Sequence, residues 1–288
     1  MIVVHVNGGL GNQLFQLAAG ISLATRLGVE LRLDARLYNR DLPIELDFGL
    51  HRFAHGVREA KISTLPPIKQ EGLCKYIAGK ITGRGMRQYH EASLAYDEAF
   101  TSLSDDTYLN GYWQSEKYFV DHEPTIRKAL TFVTPPSAEN QKIGDEMQTG
   151  LPVSLHIRRA AFVSVPKFNA VHGTCDLDYY ERAARMIAER TNREPVFYAF
   201  SDEPDWVQEN LKLPFEVRYM RQNDGGTNYE DMRLMSACHH HILANSSFSW
   251  WGAWLNPRAD KIVISPKRWF ADPSMQVHDI ISPDWISI

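Results

Sequence analysis

Cysteine is scarce in this chain, and the three that occur, Cys74, Cys175 and Cys238, are far apart and odd in number. That pattern excludes a disulfide framework or a closed cysteine zinc site and fits reduced thiols. Long apolar runs are missing too. No stretch approaches the roughly 20 residues that span a bilayer, and the opening Met1-Ile2-Val3-Val4-His5-Val6 has no basic region before an apolar one. A cytoplasmic protein is expected. Nor is there an excess of one charge: the formal net charge of −4 over 288 residues gives no electrostatic footprint for duplex nucleic acid, and no nucleic-acid partner is expected. Metal-binding spacing is absent as well. His239-His240-His241 runs into apolar Ile242-Leu243-Ala244 without carboxylate company, and reads as a structural or surface segment.

What is present has the order of an α/β protein. Ile2 to Val6 reads as a buried strand, Gly8-Gly9-Leu10-Gly11 as a tight turn, Asn12 to Leu27 as a helix stopped by Gly28, and Val29 to Asp34 as a second strand. Glycines between strand and helix let the backbone approach an anionic or sugar ligand. Asp34 stands near the place where dinucleotide-binding folds hold a ribose. Yet Gly9-Leu10-Gly11-Asn12-Gln13-Leu14 supplies only two glycines of G-x-G-x-x-G, so an NAD- or nucleotide-sugar-dependent oxidoreductase is the alternative reading and not the first. Residues 40 to 105 show little periodicity, and Lys75, Lys80, Arg84 and Arg87 read as a solvated loop. Tyr112, Trp113, Tyr118 and Phe119 form an aromatic group that is either core or, where exposed, a stacking surface for sugar rings. Thr134-Pro135-Pro136-Ser137 resembles a linker followed by a polar helix, and the domains are expected at 1–150 and 151–288.

The second half alternates strand and helix: strands near 153–158, 196–200, 241–244 and 261–264, with helices at 177–189 and 229–238. Alternation of this kind predicts a parallel sheet covered by helices, with ligands at the carboxyl ends of its strands. Polar clusters fall at three of those ends: His156 to Arg159, Ser201 to Glu203, and Asn245 to Ser249. Strand alternation puts His156 and Arg158 on one face and Ile157 and Arg159 on the other. Arg158 is then a natural diphosphate clamp, because its forked donors match a pair of phosphate oxygens, and Arg159 a structural partner for a carboxylate. Ser201 or Asp202 is positioned to cap a helix with Pro204 in its first turn, and Ser246 or Ser247 to cap the aromatic helix that follows Ala244.

Taken together, Gly8 through Gln16, Gly111 through Phe119, His156-Ile157-Arg158-Arg159, Phe200 through Glu203, Asp231 through Ser236 and Asn245 through Leu255 resemble the motifs of the bacterial α1,2-fucosyltransferase family, in order, from about residue 3 to residue 270. The resemblance implies two facing Rossmann-like domains of the GT-B type, the N-terminal one for the acceptor and the C-terminal one for the donor. It also implies an inverting, metal-independent glycosyltransferase that moves L-fucose from GDP-fucose to the 2-hydroxyl of a terminal β-galactoside in oligosaccharide biosynthesis, needing no cofactor. By that resemblance His156, Ser201 and Asp202 line the nucleoside end, Asn245, Ser246, Ser247 and Phe248 the phosphates, and Gly9, Asn12, Gln13 and Trp113 the fucose or acceptor. Arg158 steadies the departing GDP. A lipid-linked acceptor would add peripheral contact with the inner membrane face.

One position departs from the pattern. Where H-x-R-R-x-D has its aspartate, the implied general base, this chain has Ala161, followed by Phe162 in place of the usual tyrosine. Alanine cannot accept a proton. Either the base lies elsewhere, the protein is a noncatalytic glycan- or nucleotide-sugar-binding protein, or Ala161 is an engineered substitution. Because every other signature is present, substitution and an impaired enzyme are expected.

Overall fold

The structure is a computed structural model, and it describes residues 1–38, 47–66, 86–275 and 279–288. Cys74, Lys75, Lys80 and Arg84 lie outside the described residues. Two compact units are present, Met1–Thr131 and Phe132–Ile288.

The first unit is built on a parallel sheet of five strands, β1 (Ile2–His5), β2 (Leu31–Asp34), β3 (Arg58–Glu59), β4 (Arg87–His90) and β5 (Thr107–Asn110), in the order β3-β2-β1-β5-β4. Helix α1 (Leu10–Leu27) follows β1 directly and buries Leu14, Leu17, Ala18 and Ile21 as its spacing requires. Gly28, in the left-handed conformation at φ 65°, closes it by donating to Ala24 and Thr25 carbonyls. Helix α2 (Glu123–Ala129) ends the unit. Because β2 and β5 lie on opposite sides of β1, the chain reverses direction across the sheet there, and the turn after β1 opens at that switch point.

The second unit holds a six-stranded parallel sheet: β6 (Pro152–Ile157), β7 (Val196–Ser201), β8 (Glu216–Tyr219), β9 (His240–Ile242), β10 (Val263–Ser265) and β11 (Ile286–Ser287), ordered β11-β10-β9-β6-β7-β8. Its helices are α3 (Ala138–Met147), α4 (Ala160–Ser164), α5 (Pro166–His172), α6 (Leu177–Thr191), α7 (Pro204–Asn210), α8 (Asn228–Ala237) and α9 (Ser247–Leu255). Val153, Leu155 and Ile157 pack with Tyr180, Ala183 and Ile187 of α6 on one face. Tyr198 and Phe200 pack with Met147, Leu234 and Met235 on the other. A sheet covered on both sides explains strands with no exposed face.

The division falls earlier than the expected 150/151 boundary. Arg233 of α8 donates to the Thr134 carbonyl at 2.6 Å and lies 4.4 Å over the Phe132 ring, so the proline-containing segment is fastened to the second unit. Helix α3, expected with the first domain, buries Met147 there as well.

Candidate active site

In the second unit the switch point lies between β6 and β9, where the strand order reverses. Arg158 and Arg159 follow β6, Asp202 and Glu203 follow its neighbour β7, and Ser246 and Ser247 follow β9, so the pairing of Ile157 with Ser201 and of Leu155 with Ile242 brings the three clusters to one sheet edge.

The two arginines have different surroundings. Arg159 donates from Nε to Glu203 at 2.9 Å, and its guanidinium lies 3.4 Å over the Trp206 ring, so it is a structural group. Arg158 is more exposed; it meets the Asp202 carboxylate at 2.8 Å and sits 5.5 Å over the Phe162 ring. Asp202 also accepts the Arg159 backbone N–H at 2.9 Å. The carboxylate thus holds both the turn and the Arg158 side chain, a partner for Arg158 that sequence reading did not assign. It leaves Asp202 no role as a helix cap: α7 begins without a side-chain cap, and Ser201 accepts the Glu203 N–H just ahead of it.

His156 is 6% exposed, its Nδ1 has no protein partner, and its ring lies 5.7 Å from that of Phe248. Burial and then the nearby Arg158 charge push it down to about 3, so at neutral pH it is an uncharged ring with hydrogen-bonding capacity to spare. Ser246 caps α9 by accepting the Phe248 N–H at 3.3 Å, leaving Ser247 and Phe248 half-buried in the first turn. Those first-turn amides and the helix dipole favour an anion.

Asn245 is corrected. It is buried and donates to the carbonyls of His172 and Trp269 at 2.9 and 3.1 Å, so it anchors the α5 end instead of touching phosphate. That anchor supports a group sequence reading missed: the His172 ring stacks on Phe162 at 4.5 Å, and Phe162 in turn faces Arg158. Ala161 lies half-buried in α4, one residue before that stack.

In the first unit the turn after β1 is glycine-dependent: Gly8 has φ 79°, and a Cβ there would stand 2.6 Å from Asn12 Nδ2. Gly9 is exposed and precedes α1. Asn12 accepts from Gln114 Nε2 at 2.7 Å across the switch point, while Tyr38 donates to the Gly8 carbonyl at 2.6 Å. Two ligand-facing expectations fail here. Gln13 is fully buried, donating to the Gly8 and Asp47 carbonyls and accepting the Gly49 N–H, so it shapes the turn from behind. Trp113 is also fully buried, at φ 56°, packed against Tyr89, Phe100 and Tyr118. Glu91 accepts the backbone N–H groups of Tyr112 and Trp113 at 2.7 and 2.9 Å; nothing in its local sequence marks it for that role.

Asp34 cannot hold a ribose. It is 1% exposed and takes hydrogen bonds from Arg36 at 2.8 and 2.9 Å and from Tyr108 at 2.6 Å. Burial by itself would raise its pKa; hydrogen bonds from Arg36, His5 and Tyr108 outweigh it and hold the carboxyl well below the usual range. Among the described residues, no three His, Cys, Asp or Glu side chains gather as a metal site, and no helix is long and apolar enough to cross a membrane.

Residues 85–288 match the family model of glycosyl transferase family 11. The chain belongs to that family. Its curated relatives include the α-1,2-colitosyltransferase of Escherichia coli, 31% identical over 304 residues that cover 100% of this chain and 99% of the relative. The galactoside α-(1,2)-fucosyltransferase 1 of Homo sapiens is 23% identical over 263 residues, 88% of this chain and 64% of the human protein. Among solved structures, the α-1,6-fucosyltransferase NodZ soaked with GDP-fucose superposes with a TM-score of 0.52 at 17% identity, over 91% of this chain and 94% of NodZ. The family 11 chain accordingly has a GT-B-type fold of two parallel-sheet α/β units.

Proposed function

We propose that this family 11 glycosyltransferase moves L-fucose from GDP-fucose to the 2-hydroxyl of a terminal β-galactoside with inversion, giving an α1,2 link. What carries this reading is the sheet edge of the second unit, where Arg158, the uncharged His156 and the amides after Ser246 lie together at a switch point. The relatives named for α1,2 transfer of colitose and fucose support the linkage.

In the reaction the bond between fucose C1 and the β-phosphate oxygen breaks, galactose O2 bonds to C1 from the opposite side, and its proton passes to a base. Negative charge grows on the departing diphosphate. A fixed guanidinium at Arg158 stabilises that state more than the bound donor, which lowers the barrier. The Asp202 ion pair preorganises Arg158 and leaves part of its fork for phosphate. His156, Ser201 and Asp202 line the nucleoside end, and Ser246, Ser247 and Phe248 the phosphates. Residues from Gly9 and Asn12 meet the sugars, so the first unit binds acceptor and the second donor. The reading invokes no metal or cofactor and places the reaction in the cytoplasm.

Position 161 is the base position of this scheme, and the alanine there leaves the proton without an acceptor. Ala161→Asp is therefore expected to raise transfer by about 10²–10⁴-fold while donor affinity barely changes, as measured by product formation from GDP-fucose and lactose and by calorimetric titration. An alanine form that is already as fast as the aspartate form would place the base elsewhere. Since a relative is a colitosyltransferase, GDP-colitose, which lacks the 3-hydroxyl, is the second donor to assay; faster transfer from it than from GDP-fucose would replace fucose in this reading.

A further inference from the structure

The sheet of the second unit has another charged end. Around the amino-terminal starts of β6, β9 and β10, opposite the edge that carries Arg158, a hollow of about 270 Å³ is lined by Arg190, Arg193, Arg258, His239, His240 and Asp260 among others. We propose that this hollow is a second anion site that takes a dianionic phosphate group, separate from the donor site.

Its charges are incompletely matched. Three guanidinium groups face one carboxylate, leaving two formal positive charges. Arg258 pairs with Asp260 at 3.2 and 3.3 Å. Arg193 reaches only the Gly150 carbonyl, at 3.5 Å, and no side-chain partner of Arg190 occurs among the described residues. The C-terminal turn of α6 accounts for a basic residue at 190 through the helix dipole. It does not account for Arg193 and Arg258, which come from outside that helix to the same hollow.

The histidines add a donor and report the field. His240 Nδ1 accepts the Ile262 N–H at 2.9 Å, so the neutral ring carries its proton on Nε2, a donor with no described protein partner in a hollow the ring lines. Burial first, and then His239 with Arg258 and Arg193, outweighs the opposing Asp260 carboxylate and pushes His240 down to about 4. His239 is lowered by burial and by the same two arginines. Arg193 and Arg258 thus lie near enough to both rings to oppose their protonation, and with Arg190 they line the hollow as solvent-exposed side chains. Two spare planar forks and a neutral N–H match the oxygens of a phosphate, and a dianion cancels the residual charge where a monoanion would not.

Two sources share this chemistry: a soluble phosphate compound, and the headgroup phosphate of an anionic membrane. The full chain, with and without GDP, is titrated calorimetrically with inorganic phosphate and pyrophosphate, and floated with phosphatidic acid vesicles against phosphatidylcholine vesicles. Binding in either arm, undiminished by GDP, is expected. Arg190→Gln with Arg193→Gln should weaken it at least about tenfold and leave GDP affinity unchanged. A response to soluble phosphate alone marks a soluble ligand, and one to phosphatidic acid alone a headgroup. Asp260→Asn, a fully surface change, should tighten binding and keeps the test decisive should the double variant fold poorly. No response in either arm, competition by GDP, or affinity indifferent to both variants overturns the proposal.

Discussion

Arg158 and Arg159 are neighbours in sequence, yet their guanidinium groups rest on different surroundings. Arg159 is sandwiched between the Glu203 carboxylate and the Trp206 face, while Arg158, 37% exposed along its side chain, has Asp202 on one side and open fork donors besides. Lysine retains charge but neither the planar face nor the paired donors. Arg158→Lys should cost at least ~1.5 kcal/mol of GDP affinity, about tenfold, with melting temperature little changed. Arg159→Lys should lower the melting temperature and leave GDP affinity in the folded protein near that of the parent. The opposite pairing of effects, read by calorimetric titration and thermal melting, would mean that Arg159 is the clamp. The alternation of residues 153–158 was enough to separate the two arginines; Asp202 and Glu203 as their partners, more than forty positions away, were not readable from it.

At the scale of an element, the contact of α1 with β1 and β2 is set by one missing side chain. A Cβ on Gly20 would stand 2.4 Å from Val4 Cγ2 and 3.0 Å from Leu31 Cδ1. Alanine is favoured over glycine inside a helix by about 1 kcal/mol. Overpacking a filled helix–sheet contact costs about 1–3 kcal/mol, and Val4 is fully buried with little room to move. Gly20→Ala is therefore expected to be net destabilising, lowering the melting temperature by a few degrees; an unchanged or higher value would show that β1 can shift to admit the methyl group. Because α1 also carries the turn at Gly8 to Asn12, a shift of the helix should weaken acceptor binding more than GDP binding.

For the whole molecule, the buried imidazoles decide the response to acid. His156, His240 and His241 are held below the ordinary value of 6.5, chiefly by burial, whereas in the unfolded chain they titrate normally. As pH falls below 6.5 the unfolded state binds protons that the folded state refuses, so stability declines, through about 4 for His240 and about 3 for His156. Asp231 acts in the other direction. Burial raises its carboxyl to about 7, so its contribution is lost as pH rises from 3.8 towards 7. Glu91 is raised like Asp231, but His55, His172 and His239 are lowered with the other three imidazoles, and six rings against two carboxyls leave a net loss on acidification. Melting followed from about pH 7 down to 4.5 should fall progressively over this window; a flat profile would mean these rings already bind protons when folded.

The sequence by itself determined the strand and helix alternation, the clusters at the strand ends and the membership in glycosyl transferase family 11, because those features rest on local spacing and on runs of adjacent residues. Tertiary structure alone decided which polar groups are available. Asn245, Gln13 and Asp34 stand inside or beside recognisable motifs, but groups brought in from afar, backbone carbonyls for Asn245 and Gln13 and the Tyr108 hydroxyl beside the local Arg36 for Asp34, consume their hydrogen-bonding capacity. Trp113 was legible as an aromatic beside a turn, and only packing against Tyr89, Phe100 and Tyr118 removed it from the surface. Strand order had the same status: local pattern gives β6 and β9 as strands, but their adjacency follows from pairing between residues some ninety positions apart, such as Leu155 and Ile242. Residue type fixes what a side chain can do, and long-range register fixes whether anything is left for it to do it with.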